Sequence, residues 1–277
     1  MASRLRLAYS ARTDKGRRRE TNEDYLFASP IGMARSPAHV GHPWHLLAVA
    51  DGVGGRRRGD WASHLAVSTL ASRLSVWLGE LEPPDALRRA FQAANQALWN
   101  GAGNQPDTAG AATTLVAVLV ASQGGGWWAN VGDSRAYLVD SGKITRLTQD
   151  HSWVEEQVRA GRLTMEQARS SGRRNVITRS IGGEPQVDVD VGGPTRLERG
   201  DVLVVCSDGL HGQVSDAEIA QVVRKLNPEP AADRLVELSN ERGGVDNVSV
   251  IVCSLTDEAS SLDAWVRSAY SALVHGS

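Results

Sequence analysis

Only two cysteines occur in 277 residues, Cys206 and Cys253, each inside an apolar run and far from the other. Such sparse use excludes a disulfide-built secreted domain and fits a reducing compartment. Neither has an arginine six residues later, so a cysteine-nucleophile phosphate loop is missing as well. An excess of one charge is also absent. The 30 Lys and Arg residues stand against 32 Asp and Glu, a formal net charge of −2, where a general nucleic-acid binder would show a strongly basic balance. The arginine runs at 17–19 and 56–58 are therefore local features. No stretch approaches the roughly 18 consecutive apolar residues of a membrane span, and the opening "MASRLRLAYSARTDKG" holds no apolar run long enough for a signal peptide. A cytoplasmic protein without membrane or nucleic-acid partners is expected.

What is present is ordinary for a globular chain, 41% hydrophobic and 22% charged, enough to bury a sizeable core. There is no solenoid repeat and no low-complexity segment. A single domain over residues 1–256 is expected, followed by an amphipathic helix at 257–277 that carries Leu262, Trp265, Ala269 and Leu273. The apolar periodicity predicts strands near 4–12, 25–28, 45–50, 111–121, 126–131, 135–139, 143–148, 186–192, 201–207 and 247–254, with a loop at 29–44. Helices are expected after Asp60 as N-cap, from Asp85 beyond the break at Pro83 and Pro84, from Ser215, and over 231–242. Ser152 with Glu155 and Thr164 with Gln167 read as capping boxes opening two short helices joined at Gly161.

Hairpins grouped together, with helix pairs in separate blocks, argue for α+β layers rather than a doubly wound parallel sheet. Runs such as "LLAVA" and "VLVVC" lack polar alternation. Each must be buried on both faces, as when one sheet is covered by a second sheet on one side and by helices on the other.

Two apolar strands end at an aspartate, Asp51 in "HLLAVADGVGG" and Asp208 in "GDVLVVCSDGL", and a third aspartate, Asp246 in "VDNVSVIV", stands at the start of another. A carboxylate at the edge of a core is costly unless it is hydrogen-bonded, paired or bound to metal. An Asp-Gly pair after a strand is more often a turn. Three together, with "NED" at 22–24 and "GDS" at 132–134, would repel one another unless a cation offset them. Oxygen donors held by strand ends suit Mg²⁺ or Mn²⁺. Glycines 52 and 209 would let the backbone come close enough for a carbonyl to join the donors. No His or Cys stands near them at zinc spacing. Two such ions about 4 Å apart would lower the pKa of a bridging water and supply a hydroxide nucleophile, which makes phosphate-ester hydrolysis the natural chemistry.

The motifs "TDKGRRRETNED" (13–24), "VADGVGG" (49–55), "GAATTLVAVLV" (110–120), "NVGDSRAYLV" (130–139), "LTQDHSWVEEQV" (147–158), "RRNVITRSIGG" (173–183), "GDVLVVCSDGL" (200–210) and "DNVSVIV" (246–252) occur in this order. Through them the chain resembles the metal-dependent serine/threonine protein phosphatases of the 2C type, in particular the compact bacterial members. The resemblance implies a four-layer α-β-β-α sandwich with a flap at about 150–175, and a Mn²⁺ or Mg²⁺ centre of two ions with a third, weaker site. It also implies that Asp51 bridges both metals, Gly52 donates its carbonyl, and Asp208 and Asp246 complete one shell. Glu23 and Asp24 would hold metal-bound waters, Asp133 would share the third ion with Asp208, and Arg19 would bind the substrate phosphate. The implied substrates are phosphoproteins, and the implied partner is a cognate Hanks-type serine/threonine kinase.

Two features depart from the family pattern. Val53 stands where some relatives place a proposed general-acid histidine, and the arginines of 56–58 replace small and polar residues. That run fits a cleft rim or a solvated loop equally. Arg17 and Arg18 are expected to be solvated, and His64 and His151 structural. Two rival readings remain open here: a catalytically silent relative, which the complete acid set disfavours, and a two-metal hydrolase of small phosphate esters or nucleic acid.

Overall fold

The computed structural model describes residues 5–33, 43–53, 58–103, 107–122, 124–141 and 143–257. Of the C-terminal helix expected at 257–277, Asp257 is the last residue of a strand instead, and 258–277, like positions 56 and 57 of the arginine run, lie outside the described residues. One antiparallel sheet has the order β1-β11-β10-β7-β8, formed by Leu5–Asp14, Val248–Asp257, Val202–Cys206, Arg135–Asp140 and Lys143–Arg146. The second runs β2-β3-β5-β6-β9, formed by Asp24–Met33, Pro43–Val53, Leu115–Ala121, Gly125–Val131 and Asp190–Arg196, with the two-residue β4 (Ala112–Thr113) beside β3. The α+β sandwich read from the sequence is the one observed.

The layers follow from the apolar runs. In β3, Leu46, Ala48 and Ala50 face α1 (Gly59–Trp77) and α2 (Pro83–Gly103), while Leu47 and Val49 point the other way, against Val205 and Ile251 of the opposing sheet. On the far side, Val204 and Val250 pack against α6 (Asp216–Lys225) and α7 (Pro228–Glu241) through Ile219, Val223 and Leu235. Each fully buried Leu or Val side chain favours this arrangement by about 1.5–3 kcal/mol, and a strand buried on both faces has no position left for a polar alternation.

Several boundaries differ from the expected ones, mostly at prolines. Strand β2 runs on through Pro30, paired with His45, into the stretch read as a loop; β2 is a sheet edge, where a residue without an N–H is tolerated. Helix α2 starts at Pro83 rather than Asp85, and α7 at Pro228 rather than 231, because the first helical turn needs no N–H donors. Asp60 lies within the first turn of α1, and Arg58, in the left-handed region at φ 63°, occupies the cap position. The four-residue α5 (Asp208–His211) was not anticipated.

The flap helices α3 (Trp153–Arg159) and α4 (Met165–Ser170) start where expected. Thr164 and Gln167 cap each other reciprocally. Ser152 accepts from the Glu155 N–H, but the Glu155 carboxylate turns to Arg146 at 2.6 Å instead of closing the box. Among the described residues no helix is long and apolar enough to cross a membrane.

Candidate metal centre

The two sheets bring their strand ends together at one edge of the sandwich. Asp51, near the end of β3, lies directly opposite Asp24, the first residue of β2. The Asp51 backbone is fixed from both sides: its N–H donates to Thr114 Oγ1 at 2.9 Å, and its carbonyl accepts from the Thr114 N–H at 2.9 Å and from Thr113 Oγ1 at 2.8 Å. Asp208 opens α5 immediately after β10, and Asp246 lies just before β11. A cavity of about 210 Å³ is lined by Arg19, Glu23, Asp51, Gly52, Asp133, Asp208 and Asp246, residues from both sheets, together with Val53, Asn175, Ile177 and Asn247.

Two glycines permit this convergence. A Cβ on Gly52 would collide with the Gly59 carbonyl at the start of α1, and a Cβ on Gly209 would collide with the Asn247 carbonyl. The second glycine therefore lets the Asp208 and Asp246 loops come side by side. Its own carbonyl accepts from Ser239 Oγ at 2.7 Å, so the backbone-donor role considered for both glycines is taken up elsewhere at Gly209.

Seven of the eight residues singled out from the sequence line the cavity. The exception is Asp24, which is 8% exposed and lies behind it. Its Oδ2 accepts from Ser207 Oγ at 2.7 Å across the sheets, while its Oδ1 and Oδ1 of Asp208 are buried without a hydrogen-bond partner.

Burial pushes the Asp24 carboxyl up to about 7, helped by the charges of Asp208 and Asp246. Burial, followed by the charges of Asp24, Asp208, Asp133 and Asp246, lifts Asp51 well above the carboxylate range. Asp133 is lifted by burial and then by Asp208 and Asp150. Asp208 is raised by burial and then by Asp246, with a hydrogen bond to Asp51 offsetting part of it. Buried acids that crowd one another and leave lone pairs unused are matched to a multivalent cation. As placed, no three His, Cys, Asp or Glu side chains among the described residues close on one point. The acids line a shared cleft rather than a closed cage, a layout suited to hard cations that keep several waters.

Arg19 reaches the cleft but does not stand free in it: its Nη2 donates to Asp246 Oδ2 at 2.7 Å. Asn247 is a residue the sequence reading quoted without giving it a role. Its Oδ1 accepts from the Glu23 N–H at 2.9 Å, and its Nδ2 donates to the carbonyls of Lys15 at 2.9 Å and Thr21 at 2.8 Å. One amide thus holds the loop that carries Arg19 and Glu23 against Asp246. The signal was its place beside Asp246 in "DN".

None of His64, His151 and His211 lines the cavity, and His64 sits edge-on against the Tyr25 ring, 4.6 Å between centroids. His151 accepts the Gly132 N–H at Nδ1, so its Nε2 carries the proton and faces Asp190 at 3.1 Å. His211 is pushed down to about 3, chiefly by burial, and its Nε2 lies 2.9 Å from the Asp133 carbonyl.

A two-sheet sandwich with a carboxylate-lined cleft where the sheets' strand ends meet defines a class of phosphatase folds. The profile of the protein phosphatase 2C family matches residues 10–248. The serine/threonine protein phosphatase PstP of Mycobacterium tuberculosis is 36% identical over 260 residues, 91% of this chain and 46% of that protein; this chain thus spans about half the length of that relative. A putative protein phosphatase 2C-type of Streptococcus pyogenes is 36% identical over 246 residues, 87% of this chain and 94% of that protein. The crystal structure of the M. tuberculosis serine/threonine phosphatase PstP/Ppp matches with a TM-score of 0.80 at 35% identity, covering 90% of this chain and 99% of that one. The catalytic domain of PstP in complex with 2 manganese ions matches with a TM-score of 0.75 at 34% identity, covering 91% and 100%. The chain belongs to the protein phosphatase 2C family.

Proposed function

We propose that this protein hydrolyses phosphoserine and phosphothreonine on proteins, opposing a serine/threonine kinase. The observation that carries this reading is the set of acids from two sheets, half-buried Asp51 and Asp208 with buried Asp133, crowded around one cleft with Asp24 behind it and Arg19 at its side. Asp51, Asp208, Asp246 and the Gly52 carbonyl would be the donors to a pair of Mn²⁺ or Mg²⁺ ions, Glu23 and, from behind the cleft, Asp24 would hold metal-bound waters, and Asp133 with Asp208 would hold a third ion. Such ions lower the pKa of a bound water toward neutrality and offset phosphoryl charge.

The chain's own groups do the rest. The Arg19 guanidinium presents a planar fork to the phosphoryl oxygens, and its bond to Asp246 aims it. Val53 and Ile177 give the cleft two apolar wall segments. With His151 and His211 engaged and held neutral, the leaving oxygen takes its proton from solvent in the cleft.

Turnover of p-nitrophenyl phosphate with Mn²⁺, abolished by EDTA and followed by release of phosphate from a phosphothreonine peptide, is the expected result; turnover indifferent to metal would reject the reading. R19A should lower kcat/KM about 10- to 100-fold, the worth of one charge-assisted contact, with R19K recovering only part. N247A leaves every proposed donor in place yet should weaken apparent Mn²⁺ affinity about 10- to 100-fold, as loss of a ligand-orienting partner does. A Mn²⁺ titration of initial rates reads this directly, and an unchanged midpoint would remove Asn247 from the site.

A further inference from the structure

The flap is one-sided in charge. Between Ser152 and Asn175 there are five arginines and three glutamates, in a chain that is acidic as a whole. Glu155 is bound to Arg146 and Glu156 accepts from Thr178 Oγ1, which leaves Glu166 as the only acid of the segment without such a partner. Arginines 159, 162, 169, 173 and 174 are all exposed, and among the described residues none of them pairs with a carboxylate.

Arg159 and Arg169 stand in the last turns of α3 and α4, where a cation complements the helix end. Arg162 and Arg173 have no such duty. The Arg173 guanidinium lies over the Trp153 ring, 4.9 Å from its centroid, which fixes the cation while leaving its N–H groups to solvent. Two residues further along the chain, Asn175 lines the catalytic cleft.

We infer, building on the phosphatase reading above, that this face is a docking surface for the acidic segment of a phosphoprotein substrate, with Arg162 and Arg173 as specificity-determining residues. An extended peptide advances about 3.3 Å per residue, so a phosphoresidue seated in the cleft brings side chains a few positions away over the flap. The carboxylates of the cleft repel an anionic flank, whereas the flap arginines attract it. The two fields together orient the peptide.

The test compares phosphothreonine peptides carrying Glu, Ala or Lys two to four positions from the phosphoresidue, on either side, for wild type, R162E, R173Q and the double variant. Wild type should favour the Glu peptides over the Ala peptides about tenfold in kcat/KM, chiefly through KM, and lose that preference near 0.5 M salt. The double variant should abolish it, with p-nitrophenyl phosphate turnover and far-UV circular dichroism unchanged. Equal rates on Glu and Ala peptides, or a preference that survives in the double variant, would overturn the inference while leaving the phosphatase reading intact. Competition by single-stranded oligonucleotide stronger than by the Glu peptide would assign the face to a different partner and overturn it as well. Loss of p-nitrophenyl phosphate turnover in wild type would instead mark failure of the phosphatase reading itself.

Discussion

Asp208→Asn is expected to abolish turnover while raising the melting temperature of the metal-free protein. The two effects have one origin. Asp208 is half-buried, its Oδ1 is shut off from solvent without a hydrogen-bond partner, and it shares the cleft with Asp51 and Asp246. Its folded-state pKa lies above its ordinary value, so in the absence of metal it favours the fold fully only below about pH 3.8, and that contribution is lost as pH rises through the folded pKa. The amide has the same shape and no charge, and its N–H can donate to Asp51. One pKa unit is worth about 1.4 kcal/mol, and a gain of about 1 kcal/mol moves the melting point of a domain this size by about 2–4 °C. The gain should be larger at pH 8 than at pH 5. With Mn²⁺ present the ranking should reverse, because the variant lacks one of the proposed donors, and activity should fall about 10³-fold or more, the several kcal/mol that ions contribute to such a transition state. An apo variant no more stable than wild type at pH 8 would show that the acids do not strain the metal-free fold.

The largest stability loss from a single substitution is expected at Arg135. Its Nε donates to both Asp150 oxygens at 2.9 and 3.1 Å, its Nη2 donates to Oδ2 at 2.6 Å, and its Nη1 donates to the Tyr137 hydroxyl at 3.0 Å. The side chains are only 17% and 7% exposed. Burial pushes the Asp150 carboxyl upward, and the hydrogen bonds and charge of Arg135 overcome it, holding Asp150 below the usual carboxylate range. R135A leaves that carboxylate buried with only the longer ion pair to Arg146 Nη1, 3.5 Å from its Oδ1, at a cost of about 3 kcal/mol. R135K restores a charge without the fork and should recover only part of the loss. A depressed folded-state pKa stabilises above about pH 3.8 and loses its contribution as pH falls through the folded value. The gap between wild type and R135A, measured by urea unfolding, should therefore be at its full size near neutrality and narrow only on acidification below about pH 4. A gap independent of pH would point to lost packing instead.

The strands were legible because each fills a face against helices and a face against the other sheet, so their apolar runs are continuous and their ends abrupt. Proline misled the boundaries for a definite reason. Pro30 and Pro83 read as a loop and a break, and the helix that Pro228 opens was expected only from 231, yet each proline stands where no N–H is required, at a sheet edge or in a first helical turn. Helix α5 was invisible because four residues carry no periodicity. The acid set was legible, since a carboxylate after an apolar strand is costly and therefore informative. Pairings across the chain were not: nothing local places Arg19 on Asp246, 227 residues away, sets Asp24 behind the cleft rather than in it, or gives Asn247 three backbone partners. Those follow only once both sheets are assembled.

The hydrogen bond from Ser207 to Asp24 joins a strand end of one sheet to a strand end of the other, directly behind the carboxylates. The carboxylate-lined edge is thus a seam between two halves of the sandwich, and ions seated there would act as rivets through it. Any slippage of one half against the other would disturb the donors before it disturbed either half alone, which makes the spacing between the halves a natural gauge of whether the centre is assembled.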